Sequence, residues 1–385
     1  MKPLTTSIYT FSDLIRGGNQ YVDKTPWIYN LVSEYKGQYF LARPRRFGKS
    51  LLVSTLKSIF LGQRELFNGL YLAETDYDWQ TYPVIHLDLG DRAAATAEQV
   101  EESLGACIAE QAAAADISIN SATAASGFRE LILKLYERNG PVVILIDEYD
   151  KPLLGHLGQA SALEIQNVLK RFYSVVKTTE PYQRFVLLTG VSKFSKVSVF
   201  SDLNNLTDLT MDRSAATLLG YTQEEVEQYF PDYIERLAQD QGLTRTRIID
   251  TLRDWYNGYR FHEDSEAIYN PVSVMKCFQH CEFRNYWFET GTPTFLIRLL
   301  RQHPVDLSDL VVPETAFSAY EPDDLDPLPL LVQTGYLTIK EATMMGRRRQ
   351  YRLAMPNYEI EESFSMWLAE GFCDASQEEL NSALN

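Results

Sequence analysis

The chain has 385 residues, 45% of them hydrophobic and 23% charged, with a formal net charge of −16. That length is too great for one ordinary core and calls for two or three domains, and the negative balance excludes a protein whose whole surface coats nucleic acid. Four cysteines make no disulfide framework, the first residues lack the apolar segment of a secretion signal, and no run reaches the length of a membrane span, so a reducing cytoplasm is the expected setting.

Thr25-Pro26 reads as an N-cap and first helical residue for a helix over residues 26–35. Residues 38–41 are a short apolar strand, followed at once by Arg43-Pro-Arg-Arg-Phe-Gly-Lys-Ser50 and an apolar-periodic helix over 51–61. Strand, tight loop, Gly-Lys-Ser and helix together are the context of a phosphate-binding P-loop. Loop amides and a helix N-terminus converge there on phosphate, Lys49 adds a point charge and the Ser50 hydroxyl holds Mg²⁺. The usual first glycine is replaced by Arg43, so the loop turns with Pro44 fixing φ and with Arg45 and Arg46 beside the phosphates. The candidate nucleotide contacts are therefore Arg43, Pro44, Arg45, Arg46, Phe47, Gly48, Lys49, Ser50 and Leu51. The plainer alternative is a basic strand-to-helix turn whose Gly-Lys-Ser only begins a helix.

Residues 82–89 form a compact strand, and 96–117 and 127–138 read as helices. Residues 141–146 are a continuous β-branched run, the pattern of a strand buried on both faces, and it ends in Asp147-Glu148. A helix over 162–178 and another buried strand over 184–190 follow. Alternating strands and helices predict βαβ units and a parallel sheet with helices on both faces up to about residue 215. Ligands of such sheets sit at the carboxyl ends of the strands. Asp147 is thus the candidate Mg²⁺ carboxylate, Glu148 the residue that orients or deprotonates an attacking water, and Thr189 a hydroxyl that senses the γ-phosphate. An N-cap after a core strand would need only the aspartate. A further cation for transition-state charge has five candidates: Arg43, Arg45 and Arg46 in cis, and Lys193 or Arg213 in cis or, from a homo-oligomer, in trans.

Beyond residue 215 the pattern turns helical, beginning with the capping box Thr222-Gln-Glu-Glu225 and interrupted by the aromatic turn Trp255-Tyr-Asn-Gly-Tyr-Arg-Phe261. Cys277 and Cys281 flank His280 at ligand-like spacing, but in an apolar helix without a second ligand pair they read as packing. An acidic loop over 321–327 precedes a helix over 328–334 and strands over 336–340 and 350–353, joined by a turn holding Arg347, Arg348 and Arg349. Helix then hairpin is the outline of a winged helix, whose basic wing could touch nucleic acid. Residues 301–385 carry a net charge of −9, which favours a solvated hairpin tip instead.

Several stretches taken together resemble the bacterial AAA-ATPase-like family. They are Tyr21-Val-Asp-Lys-Thr25, Arg43 to Ser50, Leu145-Ile-Asp-Glu-Tyr-Asp150, Leu188-Thr-Gly-Val-Ser-Lys-Phe-Ser195, Trp255-Tyr-Asn-Gly-Tyr259, Tyr269-Asn-Pro271, Thr290-Gly-Thr-Pro293 and Gln333-Thr-Gly-Tyr336. The resemblance runs to about Pro356-Asn357 and implies an N-terminal P-loop ATPase domain, with Lys49, Ser50, Asp147 and Glu148 as its Walker-type residues. In that family arginine at the start of the loop is normal. Members commonly continue into a PD-(D/E)XK nuclease-like domain; here no Asp…Glu-x-Lys strand pattern follows Phe364, the domain being either lost or trimmed away, so nuclease activity is not assigned.

The expected architecture is α/β. A P-loop ATPase domain spans 1–215, a helical lid 216–310, a small winged-helix-like α+β domain 311–360, and a helix and tail 361–385. The expected activity is Mg²⁺-dependent hydrolysis of ATP to ADP and phosphate, coupled to conformational change. The alternatives are a non-hydrolysing nucleotide switch that assembles with a partner (a nuclease or nucleic acid) and a phosphotransferase, for which no acceptor site is evident.

Overall fold

Residues 142–146 and 185–188 are unbroken apolar runs because they become inner strands of one sheet, with both faces covered. The computed structural model describes residues 1–91, 95–157, 159, 161–193, 205–287, 296, 299–301, 303, 305, 310–317 and 327–373. In chain order, α1 (Phe11–Arg16) and α2 (Thr25–Val32) precede β1 (Gly37–Ala42) and α3 (Lys49–Phe60). Then come β2 (Val84–Asp88), α4 (Ala97–Ala114), α5 (Ala124–Asn139), β3 (Val142–Asp147), α6 (Lys151–Leu154), α7 (Ser161–Thr178), β4 (Gln183–Gly190) and the two-residue β5 (Thr207–Asp208).

The five strands are parallel, in the order β2-β3-β4-β1-β5. α3 packs on β2, β3 and β4, while α4, α5 and α7 pack on one another, with α4 against β2 and α5 against β3. The expected α/β sheet with flanking helices is therefore present. Its order matters for the site. β4 lies between β1, which delivers the phosphate-type loop, and β3, which delivers Asp147 and Glu148. The end of β4 thus stands between loop and acids.

One local expectation is corrected. Thr25 is not the N-cap of α2 but its first residue, after Lys24. Asp23 does the capping instead: its Oδ1 accepts from the Thr25 amide at 2.8 Å, which frees the Thr25 hydroxyl to accept from the Leu72 amide at 3.0 Å.

The helical stretch comprises α8 (Gln223–Tyr229), α9 (Pro231–Gln241), α10 (Arg245–Tyr256) and α11 (Pro271–His280). The capping box forms as expected, Thr222 Oγ1 accepting from the Glu225 amide at 3.1 Å and Glu225 Oε2 from the Thr222 amide at 2.8 Å. These helices share a core of their own, around Phe230, Ile234, Leu237, Leu252, Tyr256 and Phe278. Cys277 and Cys281 are buried in it, and Cys281 ends α11 in the left-handed region (φ 54°).

The last described part holds β6 (Leu310–Pro313), α12 (Pro327–Thr334), β7 (Thr338–Met345), β8 (Arg348–Ala354) and α13 (Tyr358–Cys373). The three strands are antiparallel in the order β6-β8-β7. Helix then hairpin is present, but the strands run further than the sequence pattern suggests. Only Gly346 and Arg347 form the turn, and Arg348 and Arg349 belong to β8. The reason is pairing: Met344 and Met345 lie opposite Arg349 and Arg348, and Gly346 (φ 66°) allows a two-residue turn. Arg349 is tied to Glu263 at 2.7 Å. Leu331, Tyr336, Ile339, Leu353, Ile360 and Phe364 join the same core as the parallel sheet. Phe194, Ser195, Thr290-Gly-Thr-Pro293 and residues 321–326 and 374–385 lie outside the described residues. Among the described residues no helix is long and apolar enough to cross a membrane.

Candidate functional site

β1 ends at Ala42, and the chain turns through Arg43–Gly48 into α3. Two residues of the turn have positive φ, Arg46 (66°) and Gly48 (90°). Glycine takes that conformation without penalty, and open space surrounds the place where its Cβ would stand. The amides of Phe47, Gly48, Lys49 and Ser50 find no acceptor among the described residues. They line, with Arg45, Arg46, Leu51 and Glu148, a cavity of about 400 Å³. Its other wall is largely apolar: Ile8 and Tyr9 from the N-terminal segment, Val22, Leu219, Tyr221, Val272 and Met275.

Lys49 is buried at the base of the loop, and its Nζ donates to the carbonyls of Arg43 (3.0 Å) and Pro44 (2.9 Å). Burial lowers its pKa, while the carboxylates of Asp147, Asp150 and Glu148 oppose that shift. Two carbonyl acceptors and three nearby acids hold the ammonium at the floor of the cavity.

The structure separates the arginines that the sequence groups together. Arg43 turns away from the cavity. Its guanidinium donates to the carbonyls of Ala42 (2.9 Å), Thr210 (2.6 Å) and Ala215 (2.9 Å), and lies 4.0 Å from the Phe261 ring centre. Burial alone would favour its neutral form, but three carbonyls and an aromatic face compensate a cation. Arg43, one of the candidate nucleotide contacts, is thus a brace under the loop and does not line the cavity. Phe47 also points into the protein, edge-on to Tyr259 at 4.9 Å and Phe261 at 5.5 Å. The aromatic turn is therefore the bed of the loop. Pro44 sits on Gly335, where an added Cβ would come within 2.9 Å of the proline ring. Lys193 is ion-paired with Asp208, and its amide donates to Gln333 Oε1 at 2.8 Å. Arg213 is exposed in a short 3-10 turn and lines neither cavity.

Asp147 ends β3 as expected, and Glu148 is the first residue after it. Asp147 is buried, and its Oδ1 accepts from the Thr189 hydroxyl at 2.5 Å and the Glu148 amide at 3.0 Å. Its Oδ2 carries no bond from the described chain. Together with Ser50, whose hydroxyl is likewise free, Asp147 lines a polar cleft of about 210 Å³ beside the main cavity, along with Ser54, Lys57, His86 and Asp88. Thr189 is fully buried, so its hydroxyl serves Asp147 and does not face the cavity as a γ-phosphate sensor would.

Glu148 adopts φ 51°, a left-handed conformation that costs a non-glycine residue about 1–2 kcal/mol. Its neighbours impose it. The Tyr149 amide donates to Thr189 O at 2.9 Å and the Tyr149 hydroxyl to Ser192 O at 2.8 Å. Asp150 Oδ2 accepts from the amides of Val191 (3.0 Å) and Ser192 (2.7 Å) and from the Ser192 hydroxyl (2.6 Å). Pinned on both sides, the backbone presents the Glu148 carboxylate to the cavity, 4.0 Å from Lys151 Nζ. Burial raises its pKa, with the Lys151 and Lys49 charges opposing.

Sequence reasoning missed three parts of the site. Tyr149 and Asp150 are anchors, visible in the sequence only as neighbours of the acids. Lys24 lines the cavity and is held by both carboxylate oxygens of Glu225 at 2.7 Å and by Thr217 O at 2.9 Å. Its partner lies 201 residues away, and no spacing rule reaches that far. The N-terminal segment lines the cavity through Thr5, Thr6, Ile8 and Tyr9, and is fixed by the Tyr233 hydroxyl donating to Lys2 O (2.6 Å) and by Gln279 donating to Leu4 O (3.0 Å).

Among known proteins, an uncharacterized protein from the vnfD 5′ region of Azotobacter chroococcum mcd 1 is 39% identical over 371 residues, covering 94% of this chain and 69% of its own. The solved ORC1 protein of Aeropyrum pernix, in complex with DNA, aligns at 12% identity over 90% of this chain and 91% of its own, with a TM-score of 0.32. The ORC2 protein of the same organism, in ADPNP-ADP complexes, aligns at 14% identity over 89% and 90%, with a TM-score of 0.34. At those scores neither alignment bears on this chain. The model of the predicted AAA-ATPase family matches residues 5–200. With that match and a 39% identical relative, the chain belongs to the AAA-ATPase-like family.

Proposed function

We propose that the cavity binds ATP, that the chain hydrolyses it to ADP and phosphate, and that this turnover drives a conformational change. The observation that carries the reading is that Lys49, Glu148 and the acceptor-free amides of Phe47 to Ser50 border one cavity. Four acceptor-free amides, two just before a twelve-residue helix and two opening it, suit a polyphosphate. The apolar end, between Ile8, Val22, Tyr221, Val272 and Met275, suits a base.

Ser50 Oγ and Asp147 Oδ2 are oxygen donors that border one cleft and are not engaged elsewhere, which fits a hard divalent cation. Ser50 and Asp147 would hold Mg²⁺ there, and the ion would supply positive charge to offset that of the phosphates. In hydrolysis, a water oxygen forms a bond to the γ-phosphorus as the bond to the β–γ bridging oxygen breaks. The water's proton passes to the Glu148 carboxylate, and the leaving ADP takes the bridging oxygen with its electron pair. In the same reading residues 1–215 are the ATPase domain, 216–310 its lid and 311–360 a winged-helix-like relay.

The test is phosphate release by wild type, Lys49→Ala and Glu148→Gln, with ATP binding measured beside it. Lys49→Ala should lose both. Glu148→Gln should keep binding and lower turnover by about 100-fold or more. Unchanged turnover in Glu148→Gln would remove that residue from the role of base, and binding without any turnover in wild type would favour a nucleotide switch.

A further inference from the structure

The loop carries three arginines, and the structure gives two of them work inside the protein. Arg43 is spent on three main-chain carbonyls below the loop. Arg46, in the left-handed conformation, stands near enough to the buried Glu359 for its charge to draw that carboxyl downward. Lys193 is committed to Asp208, and Arg213 lies off the cavity. Arg45 differs from all of them. It is exposed, lines the cavity beside Gly48, Lys49 and Glu148, and has no hydrogen-bond or ion-pair partner among the described residues. Its charge reaches Lys49, whose proton affinity it lowers.

We propose that Arg45 is the cation that contacts the γ-phosphate, supplied by the same chain that holds the nucleotide. The inference rests on the ATP reading above and goes beyond it by assigning the source of the extra positive charge. An unpartnered guanidinium at the phosphate end has its five donors available for phosphoryl oxygens, and its planar fork suits two of them at once. During transfer the γ-phosphoryl oxygens stay anionic while the leaving β-oxygen gains charge. Arg45 donates hydrogen bonds to these oxygens and neither gives nor takes a proton. The brace beneath explains why it can be held there: Phe47, two residues on, is locked between Tyr259 and Phe261, so the loop tip does not drift. An ADP molecule lacks the group that Arg45 would reach, so the side chain should distinguish triphosphate from diphosphate.

The experiment uses the full chain with Mg²⁺ and compares, by titration calorimetry, ADP with the β,γ-imido analogue of ATP for wild type, Arg45→Ala, Arg45→Lys and Lys49→Ala. Arg45→Ala should weaken the analogue by about tenfold or more while ADP stays within about twofold, and should lower kcat by about 100-fold. Arg45→Lys should recover part of both losses, because the charge returns without the fork. The wild-type rate per chain should not depend on protein concentration. Equal losses for ADP and analogue, or none, would overturn the proposal. So would a rate per chain that rises with concentration while Arg45→Ala turns over normally, since the cation would then come from a second copy. Lys49→Ala separates the two levels. If it binds both nucleotides as wild type does, the ATP reading fails and Arg45's role with it. If Lys49 is needed and Arg45 is not, only the role of Arg45 falls.

Discussion

Thr189 on β4 donates its hydroxyl proton to Asp147 Oδ1 on the neighbouring β3 at 2.5 Å, inside a site where both residues are buried. Because β4 lies between the loop strand and the acid strand, this bond sets how the carboxylate faces Ser50. Thr189→Val keeps shape and volume but removes the donor, leaving Oδ1 with the Glu148 amide alone. The expected result is a loss of about 1–3 kcal/mol in stability, the usual cost of leaving a buried charged acceptor short of a donor. Turnover should fall by about tenfold, with ATP affinity little changed. Thr189→Ser should restore turnover. An unchanged Mg²⁺ dependence of the rate in Thr189→Val would count against an orienting role.

The sheet was legible in the sequence because strands buried on both faces must be apolar throughout, as 142–146 and 185–188 are, and because Gly48-Lys49-Ser50 punctuates a strand-to-helix turn. Asp147 and Glu148 were legible for the same reason, since strand ends are where parallel sheets place ligands. What stayed hidden is where side chains turn. Arg43 and Arg45 are two residues apart in one basic run, yet one is buried under Phe261 and the other faces the cavity. Only the packing of a turn more than two hundred residues later decides which. The bond from Thr189 to Asp147 stayed hidden because strand alternation does not reveal a hydrogen bond to the next strand. The hairpin was read too short, since its polar, solvent-facing residues carry no apolar signal.

Lys24 and Glu225 form a buried ion pair, each side chain only 10% exposed, that joins the segment before α2 to the first turn of α8. Burial lowers the Lys24 pKa, while the Glu225 carboxylate raises it. Lys24→Met would leave a carboxylate without its cation and should destabilise by about 3–5 kcal/mol, read as the first transition in urea. Lys24→Met with Glu225→Gln should cost clearly less than Lys24→Met alone, because no isolated charge remains. A double variant as unstable as the sum of the two singles would show that the residues do not act as a pair.

Gly258, in the turn under the loop, has φ 112°, and a Cβ added there would lie 2.0 Å from the carbonyl oxygen of Pro356. The contact belongs to the seam where Asn357 Nδ2 donates to Asn257 O at 2.8 Å. Gly258→Ala should push residues 356–357 away, destabilising by about 2 kcal/mol or more and exposing the start of α13 to limited proteolysis. Gly105, inside α4 with open space around it, is the contrast. Gly105→Ala should stabilise by about 0.5–1 kcal/mol, since alanine loses less backbone freedom in a helix. If the two variants unfold alike, the close approach at Gly258 does not matter to the fold.

Glu359 opens α13 with a fully buried carboxyl whose Oε1 accepts from the amides of Tyr286 (2.8 Å) and Trp287 (2.9 Å), while Oε2 accepts no hydrogen bond of normal geometry from the described residues. Burial pushes its pKa up from 4.5 to about 7, against the nearby Ser273 hydroxyl, the two amides and the charge of Arg46; Tyr256, Tyr259 and Cys277 also sense its charge. The sign follows from which state holds the proton. Below pH 4.5 folded and unfolded chains are both protonated at this position, and it contributes nothing. Between 4.5 and 7 the unfolded chain releases the proton while the folded chain keeps it, so stability falls as pH rises. Above 7 both are ionised and the loss, roughly 3 kcal/mol, is complete. Glu359→Gln removes the titration. Its stability relative to wild type should therefore improve by about that amount between pH 4.5 and pH 7.5, measured as the urea midpoint across that range. A difference between the two proteins that stays constant from pH 4.5 to 7.5 would show that Glu359 does not titrate there in the folded chain. Carboxyls with lowered pKa elsewhere pull the wild-type curve in the opposite sense, which is why the difference, and not either curve alone, carries the result.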